Sequence, residues 1–293
     1  MYYIFEKERF FQLYNERMII AVDLGGTNIR AALIKDGEIS SLRQEELCEK
    51  DSLQKTIDQL IAIIASLKNE KVTAIGIGVP SVVDIEKGIV YDVINIPSWK
   101  RVELKKILEG ALHLPVYINN DVNCFALGEH RYGQGKPFSS FVALSIGTGI
   151  GAGIIINNHL YSGKNCGAGE VGSLRYLDKN FEFYTSSLFF ESKSTTPFLA
   201  HRAAESGEQL ALSLWEEFGF HLGNCIKAIV YTYDPESIIL GGSIAKAFKF
   251  FEGSMKNAMA DFQFPETIKS LQVLLTNTEN IALLGAAALV KKT

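Results

Sequence analysis

Asp23-Leu24-Gly25-Gly26-Thr27-Asn28-Ile29-Arg30 lies between two apolar runs, Met18-Ile19-Ile20-Ala21-Val22 before it and Ala31-Ala32-Leu33-Ile34 after it. This order predicts a strand, a glycine turn and a second strand. It puts the Asp23 carboxylate at the end of the first strand and the Thr27 hydroxyl in the turn. Glycines let a backbone approach a ligand closely and let its N–H groups point at phosphate oxygens. A carboxylate beside such a turn suits a hydrated magnesium ion, which keeps most of its waters when it binds nucleotide phosphates. The same pattern also fits an ordinary tight hairpin.

A second stretch repeats the design. Phe141-Val142-Ala143-Leu144-Ser145-Ile146 reads as a buried strand, Gly147-Thr148-Gly149-Ile150-Gly151-Ala152-Gly153 as a threonine-bearing glycine turn, and Ile154-Ile155-Ile156 as its return. Two such turns about half a chain apart predict a pseudo-duplicated protein that closes two domains on one polyphosphate. Neither turn is a P-loop, because no Gly-Lys-Ser/Thr follows. Neither is a dinucleotide fingerprint, because the glycines open into a strand rather than a helix.

The chain has 293 residues, long enough for two domains with their own cores. Its apolar fraction of 47% and charged fraction of 21% are those of a soluble globule. A net charge of −4 gives no footprint for nucleic acid or an anionic membrane. Cys48, Cys124, Cys166 and Cys225 have no paired spacing, which fits a reducing cytoplasm. No apolar run reaches transmembrane length, and the charged start (Glu6 to Arg9) does not read as a signal peptide.

Residues 1–17 are expected to be an aromatic-rich extension, too short for a DNA-reading domain. Residues 18–132, with a C-terminal helix at 280–293, form the expected small α/β domain, and 133–279 the large one. Periodicity predicts a helix from Asp51 to Asn69, with Asp51 as N-cap and Gln54 in the capping-box position. Val72 to Val79 reads as a strand ending at Pro80. Val102 to Leu112 reads as a helix, Pro115 to Ile118 as a strand delivering Asn119-Asn120-Asp121, and Val122 to Tyr132 as a helix. In the second half, a long helix is expected over Glu208–Tyr233 and strands at Glu236–Leu240 and Leu271–Leu275.

From Met18 onward the chain resembles the ROK family of sugar kinases and regulators. Several motifs in family order carry the likeness: Asp23-Leu24-Gly25-Gly26-Thr27, Gly76-Ile77-Gly78-Val79-Pro80, Asn95-Ile96-Pro97-Ser98-Trp99, Asn120-Asp121-Val122-Asn123, Gly147-Thr148-Gly149-Ile150-Gly151, Gly169-Glu170-Val171-Gly172 and Leu240-Gly241-Gly242-Ser243. The resemblance implies an α/β fold of two actin-like (ribonuclease H-like) ATPase domains with a cleft between them. It implies ATP and Mg2+ as cofactors, with Asp23, Gly25, Gly26, Thr27, Asn28, Gly147, Thr148, Gly149, Gly241 and Gly242 around the nucleotide. Asp23 would meet the magnesium through water. Asp121 is the expected general base, and Asn95, Asn120, Glu170, Glu182 and Ser173 the expected sugar-side residues. Local readings remain beside these: Asp121 as a helix cap, Asn95 as a turn residue, Asn120 as a partner of local backbone, Glu182 as a solvated charge.

Two departures bear on specificity. Ser173 stands where many relatives have His, and Leu174 to Phe181 contains no Cys or His, so no zinc site is expected. The five histidines (His113, His130, His159, His201 and His221) lack ligand spacing and read as surface or satisfied core residues. The smaller Ser173 leaves room for a 2-acetamido group or a β-linked aglycone. The expected activity is ATP-dependent phosphorylation of a hexose, glucose by default, at the 6-hydroxyl. The alternatives are an N-acetylmannosamine, N-acetylglucosamine or β-glucoside kinase, or a catalytically silent sugar-binding regulator. A cytoplasmic homodimer is the family expectation.

Overall fold

The computed structural model describes residues 17–290, so the expected N-terminal extension, Arg17 apart, lies outside the described residues. The chain falls into two compact units. The first contains the chain through Tyr132, Gly163–Gly167 and the segment from Thr278, and the second contains Gly133–Ser162 and Ala168–Asn277. The expected boundaries had placed Gly163–Gly167 in the second unit. It belongs with the first because Cys166 is buried in that unit's core and its thiol donates to Asn119 Oδ1 at 3.2 Å.

In the first unit, β1 (Met18–Leu24) and β2 (Asn28–Lys35) pair antiparallel across the glycine turn, with Asp23 opposite Arg30 and Leu24 opposite Ile29. An unforeseen strand, β3 (Glu38–Glu46), extends this sheet at its edge. Its run of charged and hydroxyl residues hides the strand from a hydrophobic pattern and suits an exposed edge. The first helix, α1 (Leu53–Ala65), starts later and ends earlier than expected. Ser52, not Asp51, caps it, with Oγ accepting from Lys55 N–H at 3.4 Å. Gln54 closes no capping box, because its amide donates to Asp58 Oδ1 at 2.8 Å.

Strand β4 (Val72–Val79) lies parallel to β1. The short strands β5 (Val82–Asp84), β6 (Ile89–Tyr91) and β7 (Arg101–Val102) form a small separate sheet, so the expected helix at Val102 begins only with α2 (Leu104–Leu112). Strand β8 (Val116–Asn120) joins β4 in parallel and runs directly into α3 (Asp121–Tyr132). The sheet order is β3-β2-β1-β4-β8. Ile20, Val22, Ile75 and Ile77 from the strands and Leu60, Ile64 and Leu108 from the helices are among its buried core.

The second unit repeats that plan. Strands β9 (Phe141–Ile146) and β10 (Ile150–Ile156) form the second glycine hairpin, and β11 (His159–Leu160) continues it. A 3-10 turn, Val171–Ser173, leads to a small hairpin of β12 (Arg175–Tyr176) and β13 (Lys179–Asn180). Three short helices follow: α4 (Phe181–Thr185), α5 (Ser187–Ser192) and α6 (Pro197–Glu205). The long α7 (Gln209–Tyr233) precedes β14 (Ser237–Gly241). Then come a 3-10 turn (Ile244–Ala247), α8 (Phe248–Met259), α9 (Pro265–Ser270) and β15 (Gln272–Leu275). The order is β11-β10-β9-β14-β15, with β9 between an antiparallel and a parallel neighbour, as β1 is in the first unit. Trp215 and Phe218 of α7 pack with Phe251 of α8 and with Phe189 and Phe190 of α5 in the core. The chain then returns to the first unit, where α10 (Ile281–Ala288) packs on α3, β1 and β4. Among the described residues, no helix is long and apolar enough to cross a membrane.

Candidate functional site

The first turn is closed by Gly25 N–H donating to Asn28 O at 2.9 Å. Gly26 is packed against Asn95: a Cβ at position 26 would sit 2.4 Å from Asn95 Cβ. The turn thus carries an expected sugar-side residue on its flank. The Asn95 segment is held from beneath by buried Trp99, whose indole N–H donates to Thr56 Oγ1 at 2.7 Å. Thr27 is exposed at the tip. Asp23 forms an ion pair with Arg30 directly across the hairpin, and Arg30 also donates to Asn280 Oδ1 at 3.3 Å. Nothing in the sequence marks Arg30 as a partner of Asp23. Only the antiparallel register makes it the counter-charge of Asp23.

Asp121 is the first residue of α3, where the helix N-terminus favours a carboxylate. Its Oδ1 accepts from Val122 N–H at 2.9 Å, so the local capping reading holds for it. Asn120 caps as well, with Oδ1 accepting from Val122 and Asn123 N–H at 2.9 and 3.2 Å. Its amide is left to donate, and it meets Ser81 O at 3.4 Å. Beneath them lies a residue the sequence reading passed over. Asn119 Oδ1 gathers the Asn120 N–H at 2.8 Å, the Asn123 amide at 2.9 Å and the Cys166 thiol at 3.2 Å. The run of three Asn and Asp residues after an apolar strand was the available signal. Burial pushes the Cys124 thiol well up, and the negative charges of Asp121 and then Asp23 add to it. Both carboxylates are therefore felt at one buried point of this unit.

In the second unit, Gly147 N–H donates to Gly149 O at 2.9 Å, and Gly147 O accepts from Ser187 N–H at 2.9 Å. The β14 turn lies alongside. Gly242 has φ of 86° and backs onto Ile146, where a Cβ would come within 2.3 Å of the Ile146 carbonyl. A cavity of about 370 Å3 opens here. Gly147, Thr148 and Ser243 form one wall, and Phe198, His201, Trp215 and Lys246 stand among the others. Gly149, Gly241 and Gly242 shape the turns but do not line this cavity. His201 was expected at the surface or satisfied in the core. It lines the cavity instead, because α6 lays it against Trp215 with ring centroids 6.5 Å apart. No motif marked α6, so Thr196, Phe198 and His201 were missed.

Glu170 precedes the 3-10 turn. Desolvation pushes its carboxyl above the ordinary value, and the like charge of Glu182 adds, although much of the side chain remains exposed. Glu182 is not merely a solvated charge. It sits in the first turn of α4 and accepts from Ile150 N–H at 3.4 Å, and a Cβ on Gly149 would lie 2.6 Å from its Oε2. Ser173 and Glu182 both line a second cavity, of about 420 Å3, under the β12–β13 hairpin. Tyr176 and Tyr184 hold that hairpin. Tyr176 stacks on Phe181 at 4.4 Å and hydrogen-bonds His221 Nδ1 at 3.1 Å, while the Tyr184 hydroxyl donates to Asp178. Among the described residues, no group of three or more His, Cys, Asp or Glu side chains gathers as metal ligands. A magnesium ion held mainly by nucleotide phosphates and water needs only one or two carboxylates. Asp23, at a strand end beside the first glycine turn, fits that demand.

Residues 19–182 and 191–293 match the model of the ROK family. The chain belongs to this family. It is 28% identical to a glucokinase of Thermotoga maritima, over 94% of this chain and 97% of the relative. It is 29% identical to a β-glucoside kinase of Listeria monocytogenes, over 92% and 95%. A ROK family glucokinase from Streptomyces griseus, solved with glucose and AMPPNP, superposes with a TM-score of 0.80 at 26% identity over 93% of this chain and 98% of that one. The ROK chain is a mixed α/β, two-domain ATPase fold of the actin-like kind.

Proposed function

We propose that this ROK protein is a sugar kinase that transfers the γ-phosphoryl group of ATP to the 6-hydroxyl of a hexose, with Asp121 as general base. Asp121 carries the reading. A carboxylate at the strand-to-helix step, held by the Val122 N–H at the start of its own helix, can hold a sugar hydroxyl and accept its proton late in transfer. Phosphoryl transfer needs little else from side chains beyond orientation and charge compensation.

The remaining residues then take definite tasks. The Asn120 amide, its oxygen engaged by two backbone N–H groups, donates to the sugar. Asn95 supports the same ring from the flank of the first turn. Glu170 and Glu182 accept hydrogen bonds from the sugar hydroxyls. Thr27 and Thr148, with the N–H groups of their turns, bind phosphate oxygens. The cavity of Phe198, His201 and Trp215 takes the nucleoside. Asp23 holds a magnesium ion through water, and that ion, bound with ATP, neutralises phosphate charge. The kinases of related sequence support glucose as the first substrate to try.

The test is a coupled ADP-release assay with Mg-ATP against glucose, mannose, N-acetylglucosamine, N-acetylmannosamine and cellobiose, for the wild type and Asp121→Asn. Sugar-dependent turnover that collapses in the variant is expected. A folded protein that binds a sugar in calorimetry but turns over none would replace this reading with a sugar-binding role.

A further inference from the structure

Gly163–Gly167 is an irregular stretch of exposed residues with one exception, Cys166, which is 2% exposed and lies in the core of the first unit. Cys166 has a φ of 57°, in the left-handed region. Among the described residues it is the one buried non-glycine residue with a positive φ. That conformation presses Cβ toward the following carbonyl oxygen, and it persists where the surroundings over-determine it. We infer that Cys166 is a positioning residue for phosphoryl transfer, its thiol acting through Asn119 to hold the strand-to-helix step that presents Asn120 and Asp121. The inference rests on the sugar-kinase reading with Asp121 as base and adds a residue to it.

The thiol donates to Asn119 Oδ1 at 3.2 Å. The same oxygen accepts the Asn120 N–H at 2.8 Å and the Asn123 amide at 2.9 Å. Asn119 is itself buried, so three donors converge on one amide oxygen away from water. They come from the end of β8, from the first turn of α3 and from the Gly163–Gly167 stretch. Burial pushes the Cys166 thiol up, and hydrogen bonds with the Asn120 and Val83 backbone and then the Asn123 side chain oppose the rise. The net effect keeps the thiol neutral, the form that donates. A neutral buried thiol is a poor nucleophile, so its contribution is geometric.

Two sets of bonds therefore hold the step. The side chains of Asn120 and Asp121 cap α3 and fix it from the helix side. The Asn119 oxygen takes the Asn120 N–H and fixes the preceding peptide from the strand side. A general base works only within hydrogen-bond reach of its proton, and a misplacement of about 1 Å costs about a hundred-fold. Glycine adopts a φ of 57° without steric cost, so the backbone alone does not call for a cysteine. The strained backbone and the buried donor coincide at one residue, and the side chain is what the strain supports. The neck of the stretch is closed by Ala168 N–H donating to Ser162 O at 3.3 Å.

Cys166→Gly, Cys166→Ala and Cys166→Ser would be compared with the wild type in the ADP-release assay, in calorimetric titration with the same sugars and in thermal melts. Glycine removes the thiol and relieves the backbone, alanine removes only the donor, and serine keeps a donor. The glycine and alanine variants should lose about 10–100-fold in kcat and bind sugar more weakly, with the KM for ATP unchanged. Serine should restore most of the loss, and the glycine variant should melt close to the wild type despite its low kcat. A role in stability alone would make kcat follow the melting temperature. Unmoved kcat and sugar affinity in the glycine and alanine variants, losses that track melting, or a serine variant as poor as alanine each overturn the inference and leave the kinase standing. Absence of wild-type turnover with every sugar removes the kinase reading. Sugar affinity then decides: weakening by alanine that serine restores keeps the hold on Asn120, and equal affinities overturn it. A wild type that neither turns over nor binds any of the sugars overturns both.

Discussion

The two glycine turns sit at equivalent places in two sheets of the same order, yet they are equipped differently. Both hairpins continue into a sheet in which the first strand also pairs in parallel with a later one. The first turn is crowded and charged, with Asn95 pressed on Gly26 and Asp23 paired to Arg30. The second carries the Glu182 carboxylate at Gly149 but leaves Gly147 beside open space, lined by small and aromatic residues and Lys246. Repetition of a fold supplies two glycine hairpins of the same design. In the proposed reaction, the side chains around each decide which serves the acceptor hydroxyl and which the nucleoside.

Asp121→Asn tests that division most severely. It keeps the helix cap's shape but removes the base, and kcat is expected to fall by about 10²–10⁴-fold with little change in melting temperature. A comparably large kcat loss from Thr148→Ala would break the contrast, since chemistry would then depend equally on the second turn.

The paired substitutions Gly26→Ala and Gly147→Ala probe packing. At position 26 the new methyl meets Asn95, and about 1–3 kcal/mol of stability should be lost in urea unfolding. At position 147 the nearest atom, Ser243 Oγ, is at 3.4 Å, and the change should stay within about 0.5 kcal/mol. Equal losses would show that the first turn is no more crowded than the second.

The Glu170 carboxyl, raised first by desolvation and then by Glu182, sharpens the comparison through pH. In the proposed reaction its ionised form accepts hydrogen bonds from the sugar, so activity should fall as pH drops through a value above that of an ordinary glutamate. Glu182→Gln removes the second cause only and should move this acidic limb part-way to lower pH in a kcat/KM profile. Stability has the opposite sense. The folded state holds this proton more tightly, so the associated stability is present at low pH and lost as pH rises through the folded value.

Arg30→Ala is expected to have a small effect. The pair is partly solvated, with side chains 34% and 15% exposed, so its removal should cost about 0–1 kcal/mol. The magnesium concentration for half-maximal turnover should fall, because a guanidinium no longer competes for Asp23. A rise would mean that Arg30 assists the phosphates instead.

Local pattern accounts for much of this. The glycine turns, the Asn119-Asn120-Asp121 step and the long α7 were legible because each couples an apolar strand or helix stripe to residues with restricted conformational preferences. Strand β3 was hidden by its polar edge character. Helix α8 was hidden because it buries only Phe251, Met255, Ala258 and Met259, a stripe too narrow to stand out among its polar neighbours. The capping roles of Asn120 and Asp121 were legible as alternatives, and the structure shows that these residues do cap.

Sequence alone determined the pairing of two glycine hairpins and the order of the motifs, since turn chemistry and strand patterning act over a few residues. Tertiary structure decided which distant groups meet: Arg30 with Asp23 and Asn280, Cys166 with Asn119, His201 with Trp215, and Glu182 with the second turn. Those contacts span up to 250 positions in the chain, and register and packing set them rather than local preference.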